Sequence, residues 1–317
     1  MKINKKVKNI IGVLLSAIIL YFIIVRFCKY WPEISPFLQN ANWVYMLVGI
    51  IIVSIGIGLI AFIWQIVFKN LYDIKLPFYQ CLSIIFLPNL ARYIPGKFWF
   101  IFGTVFLAKR WKLDVSATIV VSIIAQLFFL LGGIWVGFIA SLLGKMEITT
   151  LILLPAVLFG ILIFFLPSIF YKILNIILNL AGKGKNYTIP NSMTSKTVLL
   201  GTLIGIVMWI IIGFGVMISI KSVFPDFSLE YFINITGAYS LSYAVGYFSF
   251  ITPAGLGIRE GAMIYLLPKT ILDAQKTFFV LATRVWMMLS EFILLIFIII
   301  LLLLKGEFRN LRRNPDE

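Results

Sequence analysis

The sequence predicts an all-α polytopic membrane protein, and three observations carry that prediction. Of 317 residues, 62% are apolar and 12% are charged, whereas an ordinary soluble domain carries about a quarter charged residues. Several apolar runs exceed the ~20 residues a helix needs to cross a bilayer. Two further apolar regions are each interrupted by proline, glycine and charge, so the expected architecture is six full spans plus two broken helical hairpins, re-entrant or spanning.

The six spans are read at Ile10 to Phe27, Trp43 to Phe68, Val115 to Leu143, Thr150 to Tyr171, Thr197 to Ile220 and Thr277 to Leu304. The first follows Lys2, Lys5, Lys6 and Lys8 and continues into Arg26, Cys28 and Lys29 without a small-residue cleavage site, which predicts an uncleaved first helix. The broken regions run from Leu76 to Ala108, interrupted at Arg92-Tyr93-Ile94-Pro95-Gly96-Lys97, and from Tyr231 to Leu267, interrupted between Thr252 and Glu260. The whole length is consumed as one membrane domain, residues 1–317, with no separate soluble domain expected.

The formal charge of +15 is distributed as topology signals in short loops rather than as a nucleic-acid surface. If each broken region enters and leaves on one side, seventeen cations fall in one set of loops. Six fall in the other: Arg26, Lys29, Lys145, Lys221, Lys269 and Lys276. The cation-rich side is then the cytoplasmic one, with both termini there and the protein in the cell membrane. The same assignment makes residues 43–143 and 197–304 approximate inverted repeats. Paired Pro/Gly-interrupted segments in corresponding halves point to the central site of a transporter.

At the first break, Pro95 removes a backbone donor and Gly96 admits unusual dihedrals, so the helix stops and leaves backbone groups unpaired. Arg92 and Lys97 flank it without a nearby acid. They either receive an anion, with phosphate the natural candidate, or snorkel to the headgroups. At the second break, Pro253, Gly255, Gly257 and Gly261 allow close backbone approach, and Arg259-Glu260 begins a short apolar arm. A charge in lipid costs about 2.5–3.5 kcal/mol on insertion scales, so this pair faces protein or an aqueous cavity. Arg284 and Glu291, seven apart in the last span, share a helix face. Arg259, Glu260, Arg284 and Glu291 then form either a network that locks the bundle or a substrate site. Gln65, Gln126, Asn89 and Asn234 read as interhelical hydrogen-bonding groups.

There is no histidine, and the cysteines are only Cys28 and Cys81, so no metal, cofactor or disulfide framework is expected. The loop aspartates are isolated. Enzymatic chemistry is therefore not expected, although an intramembrane transferase would have to use Glu260 or Glu291 as its base.

The paired signatures Asn89-x-x-Arg92-Tyr93-x-Pro95-Gly96-Lys97 and Pro253-Ala254-Gly255-Leu256-Gly257-x-Arg259-Glu260-Gly261 resemble those of the lysylphosphatidylglycerol synthase transmembrane, or flippase-like, family. The resemblance covers nearly the whole chain. It implies translocation of a phospholipid or a polyprenyl-phosphate-linked sugar in cell-envelope biogenesis, with Arg92, Pro95, Gly96, Pro253, Gly255, Gly257, Arg259 and Glu260 as motif positions. In the multiple peptide resistance factor of this family a soluble acyltransferase-like domain follows the membrane half. Only thirteen residues follow Leu304 here, so lysyl transfer is not expected. The alternative to a translocase is a non-catalytic membrane partner of a separate glycosyltransferase or lipid-modifying synthase.

Overall fold

The computed structural model describes residues 25, 28–29, 31–88, 98–143, 150–168, 172, 193–249, 255 and 257–307. Ordered segments among them are α1 (Trp43–Gly58), α2 (Ile60–Tyr72), α3 (Phe78–Phe86), α4 (Phe98–Arg110), α5 (Val115–Leu142), α6 (Thr150–Phe165), α7 (Ser195–Val223), α8 (Phe232–Phe248), α9 (Ile258–Leu266) and α10 (Asp273–Leu304). No strand occurs among the described residues. Without water in the bilayer core, a helix is the local structure that pairs every backbone group within its own segment.

Among the described residues, four helical segments are long and apolar enough to cross a membrane: Trp43–Tyr72, Val115–Leu142, Ser195–Val223 and Asp273–Leu304. They coincide with four of the six spans expected from sequence. Of the other two, Ile10 to Phe27 lies almost wholly outside the described residues, and Thr150 to Tyr171 is described as helix only through α6, which contains Pro155. The apolar side chains of α10 that remain exposed, among them Ile296, Phe297, Ile300, Leu303 and Leu304, have lipid as their natural solvent.

Helix starts are set by short polar side chains immediately before the apolar runs. Asn42 Oδ1 accepts from the N–H of Tyr45 at 3.1 Å, Asp114 Oδ2 from Ala117 at 2.7 Å, and Thr194 Oγ1 from Thr197 at 3.3 Å. Each satisfies a donor that the first turn leaves orphaned.

The chain divides into two compact units, residues 1–53, 133–155 and 209–289 in one and residues 54–132, 156–208 and 290–317 in the other. In the first unit the largest fully buried side chains include Trp209, Tyr239 and Phe279. The Trp209 ring meets Tyr239 and Tyr243 edge-on at 5.7 and 5.5 Å. Ser240 Oγ donates to the Gly133 carbonyl at 2.9 Å, tying α8 to α5. A Cβ on Gly215 would come within 2.6 Å of the Gly49 carbonyl oxygen, so α1 and α7 cross with their backbones in contact.

In the second unit α3 packs beside α2, and Gln65 Nε2 donates to the Leu76 carbonyl at 2.8 Å, fixing the connection between them. Ser54 Oγ donates to the Ser290 carbonyl at 3.0 Å. Phe128 of α5 lies over Gly201 and Gly205 of α7. A Cβ on Gly103 would sit 3.0 Å from Pro88, so α4 returns closely past the end of α3 and the two form the arms of the first broken hairpin.

Candidate functional site

The second break is built entirely within the first unit. Helix α8 ends at Phe248 and α9 begins at Ile258. The two helices pack against each other, and small residues permit the approach. A Cβ on Gly246 would lie 2.8 Å from the Cβ of Arg259, and one on Gly255 would lie 2.5 Å from the Gly246 carbonyl oxygen. Gly255 and Gly257 both have positive φ, +66° and +81°. L-side chains rarely adopt that region, which is why glycine occupies these turns.

The charges at the start of α9 are sorted by this turn. Glu260, 4% exposed, reaches back so that its Oε2 accepts from the Gly257 N–H at 2.5 Å, the acidic half of a capping box. Its Oε1 takes a hydrogen bond and ion pair from Arg284 Nε on α10, 24 residues away. A carboxylate in the first turn of α9 also meets the favourable end of the helix dipole. Glu260 is thus committed on both oxygens.

Arg259, the adjacent residue, has a different fate. It is 9% exposed, and its guanidinium carbon lies 4.9 Å from the ring centroids of both Tyr239 and Tyr243. These tyrosines are one helical turn apart on α8, so their rings cradle the planar cation. Among the described residues, none is hydrogen-bonded to its buried Nη2. The positive charge and the fork of N–H donors of such a guanidinium edge match the geometry of a phosphate or carboxylate.

Of the residues expected from sequence, the structure brings Gly255, Gly257, Arg259, Glu260 and Arg284 together. Glu291 is half-buried on α10, seven residues past Arg284, and belongs to the second unit. Arg92, Pro95, Gly96, Lys97 and Pro253 lie outside the described residues, as does Asn89. Sequence reasoning missed Tyr239, Tyr243 and Gly246. Their spacing, i, i+4 and i+7, puts them on one face of α8 and was the available signal. A separate surface cavity of about 280 Å³ lies among Phe37, Phe224, Phe227 and Tyr231 with Asp226 at its wall. It includes none of these residues.

Helices of spanning length, an interrupted hairpin and an arginine buried at the interruption characterise a helical membrane protein. The chain belongs to the family described as the lysylphosphatidylglycerol synthase TM region, whose model matches residues 9–294. No curated protein and no solved structure matches it.

Proposed function

We propose that the protein is a translocase for an anionic lipid or lipid-linked sugar, moving the headgroup through the protein while the acyl or isoprenyl tail stays in the bilayer. The observation that carries this reading is the state of Arg259: buried, held between two tyrosine rings, and with Nη2 unpaired while the neighbouring carboxylate is engaged elsewhere. A cation kept in this condition can bind an anion that arrives and leaves, since among the described residues no carboxylate is paired with it. The Glu260–Arg284 pair holds the turn that presents Arg259.

On this reading Arg92 and Lys97 receive the headgroup at the first break, and Arg259, with Arg284 and Glu291 on the last helix, passes it on. The two breaks are the equivalent elements of inverted repeats 43–143 and 197–304, opening to opposite sides of the cell membrane, with both termini cytoplasmic. The activity is transport rather than bond-making, and lysyl transfer belongs to a different polypeptide or domain. Family membership supports a lipid substrate; phosphatidylglycerol-type and polyprenyl-phosphate headgroups both carry the phosphate that a guanidinium edge selects.

The test is leaflet exchange of fluorescent phosphatidylglycerol and of a short fluorescent polyprenyl phosphate in proteoliposomes. Exchange of at least one is expected with the native chain, and a fall of tenfold or more with Arg259→Gln and with Arg92→Gln. Absence of exchange by folded protein overturns the translocase reading in favour of a non-catalytic partner of a glycosyltransferase or synthase.

A further inference from the structure

The surface cavity at the end of α7 has a volume of about 280 Å³ and lies wholly within the first unit. Four pieces of chain enclose it: Phe37 ahead of α1, the stretch from Phe224 to Tyr231 that leads into α8, Thr270 and Ile271, and Gln275 in the first turn of α10. One side is aromatic and held in place. Phe224 packs edge-on against Phe278 and Phe279 at 5.4 and 5.9 Å, and Phe227 against Phe279 at 5.1 Å. Phe224 and Phe227 are buried, whereas Phe37, 4.8 Å from Phe224, keeps 47% of its surface exposed. With the half-buried Tyr231, Phe37 is the ring most open to a molecule entering the cavity.

The polar groups of the lining both donate and accept. Tyr231 donates its hydroxyl proton to Thr270 Oγ1 at 3.0 Å, which leaves Thr270 its own proton to give. Ser228 Oγ accepts from the Glu230 N–H at 3.2 Å and likewise keeps its proton. Among the described residues, the Asp226 carboxylate and the Gln275 carboxamide have no hydrogen-bond or ion-pair partner. A carboxylate only accepts, and a carboxamide does both.

Charge narrows the ligand further. Lys221 Nζ donates to the carbonyl of Phe227 at 3.2 Å, so an ammonium is already fixed on the wall, and Lys269 and Lys276 adjoin Thr270 and Gln275 in the chain. These ammonium groups oppose a cationic ligand, while Asp226 in the lining opposes an anionic one. What fits is an uncharged molecule with an apolar face and hydroxyls that give and take protons. Rings beside a few convergent polar groups are the usual make-up of a small-molecule site, and the volume, just below the ~300 Å³ where such sites begin, suits a single ring.

We propose that this cavity binds one pyranose ring, its C–H face on Phe37 and Tyr231 and its hydroxyls on Asp226, Gln275 and Thr270. The site stands apart from the translocase reading, since no lining residue belongs to the turn around Arg259. A free sugar and the headgroup of a glycolipid present the same ring chemistry.

Thermal unfolding of the full chain in a sugar-free polyoxyethylene detergent tests it. The probes are the methyl glycosides of glucose, galactose, mannose and N-acetylglucosamine, octyl glucoside, and octanol and tetramethylammonium for comparison. At least one glycoside is expected to raise the midpoint saturably, with octanol and tetramethylammonium giving no saturable shift. Asp226→Ala and Gln275→Ala should keep a near-native midpoint without sugar, because neither side chain loses a partner, and should weaken the apparent affinity at least fivefold. Phe37→Ala should weaken it similarly, whereas Glu230→Ala, which removes a nearby exposed carboxylate outside the lining, should respond as native. A response to a methyl glycoside assigns the site to the ring itself; one confined to octyl glucoside assigns it to a lipid headgroup. No saturable response to any glycoside overturns the proposal, as does an affinity that Asp226→Ala and Gln275→Ala both leave unchanged. A saturable response to tetramethylammonium that is lost in Asp226→Ala overturns it in favour of a cation site.

Discussion

Two ion pairs in this molecule contrast sharply. Lys69 and Asp73 close the end of α2 one turn apart, both exposed, with Asp73 in the left-handed region at φ +54°. Glu260 and Arg284 join α9 to α10 across 24 residues, with the glutamate side chain 4% exposed and the arginine side chain 24%. Water screens the first pair and competes for both partners, so it adds little to stability. The second pair is stripped of water on the acid side and anchors a glycine turn. Removing one partner there leaves a charge with nothing to meet it. Location rather than the type of interaction decides the consequence.

The largest effect is expected from breaking the buried pair on one side. Arg284→Met leaves the Glu260 carboxylate without its cation and should destabilise by about 3–5 kcal/mol, read as a lowered unfolding midpoint in detergent. Glu260→Gln combined with Arg284→Met should recover much of that loss, since no bare charge remains. If the double variant is no better than the single one, the pair is not acting as a unit.

Next in size is the turn itself. Gly255→Ala places a methyl group against the Gly246 carbonyl and imposes a positive φ on an L-residue. Strain of this kind costs on the order of 1–3 kcal/mol before the clash is counted. Leaflet exchange should fall with stability, whereas Gly261→Ala, which meets nothing within 4 Å, should leave both unchanged.

A smaller and more selective change is expected from Tyr239→Leu or Tyr243→Leu. Each removes one face of the Arg259 cradle, worth about 0.5–2 kcal/mol. The Glu260–Arg284 pair should persist, so with the half-buried Tyr243 replaced the midpoint should shift little while lipid exchange drops severalfold, whereas Tyr239→Leu also opens the core beside Trp209 and lowers the midpoint. An equal loss of midpoint and function in Tyr243→Leu would make that ring mere packing.

The smallest effect belongs to the exposed pair. The hydrogen bond from Lys69, then its charge, holds the Asp73 carboxyl below the usual carboxylate value of 3.8. A folded pKa below the unfolded one means that the contribution is present above the unfolded value and fades as pH falls through the folded one. Lys69→Met should therefore leave the midpoint at neutral pH unchanged within error. Any difference from the native chain, small because both groups are exposed, should be present above the ordinary carboxylate range and vanish as pH falls through the folded value.

The same contrast explains how much of the site was legible in advance. The Lys69–Asp73 pair follows from i, i+4 spacing alone. Glu260 with Arg284 was one of the pairings that the sequence left open, because both residues interrupt apolar runs and a buried charge needs a partner. That Arg259 would go to Tyr239 and Tyr243 was not legible. The two rings share a face of α8, but nothing in their spacing says which helix will lie across them.

By itself the sequence determined the solvent of this protein and where its helices stop. Apolar runs longer than a bilayer is thick leave helices as the available backbone structure, and Asn42, Asp114, Gly255 and Gly257 mark ends by capping chemistry or by a dihedral that other residues avoid. Only the tertiary structure decided the fate of each charge. Arg259 and Glu260 are neighbours in sequence, yet consecutive residues on a helix point about 100° apart, so one turns to the tyrosines of α8 and the other to Arg284 of α10.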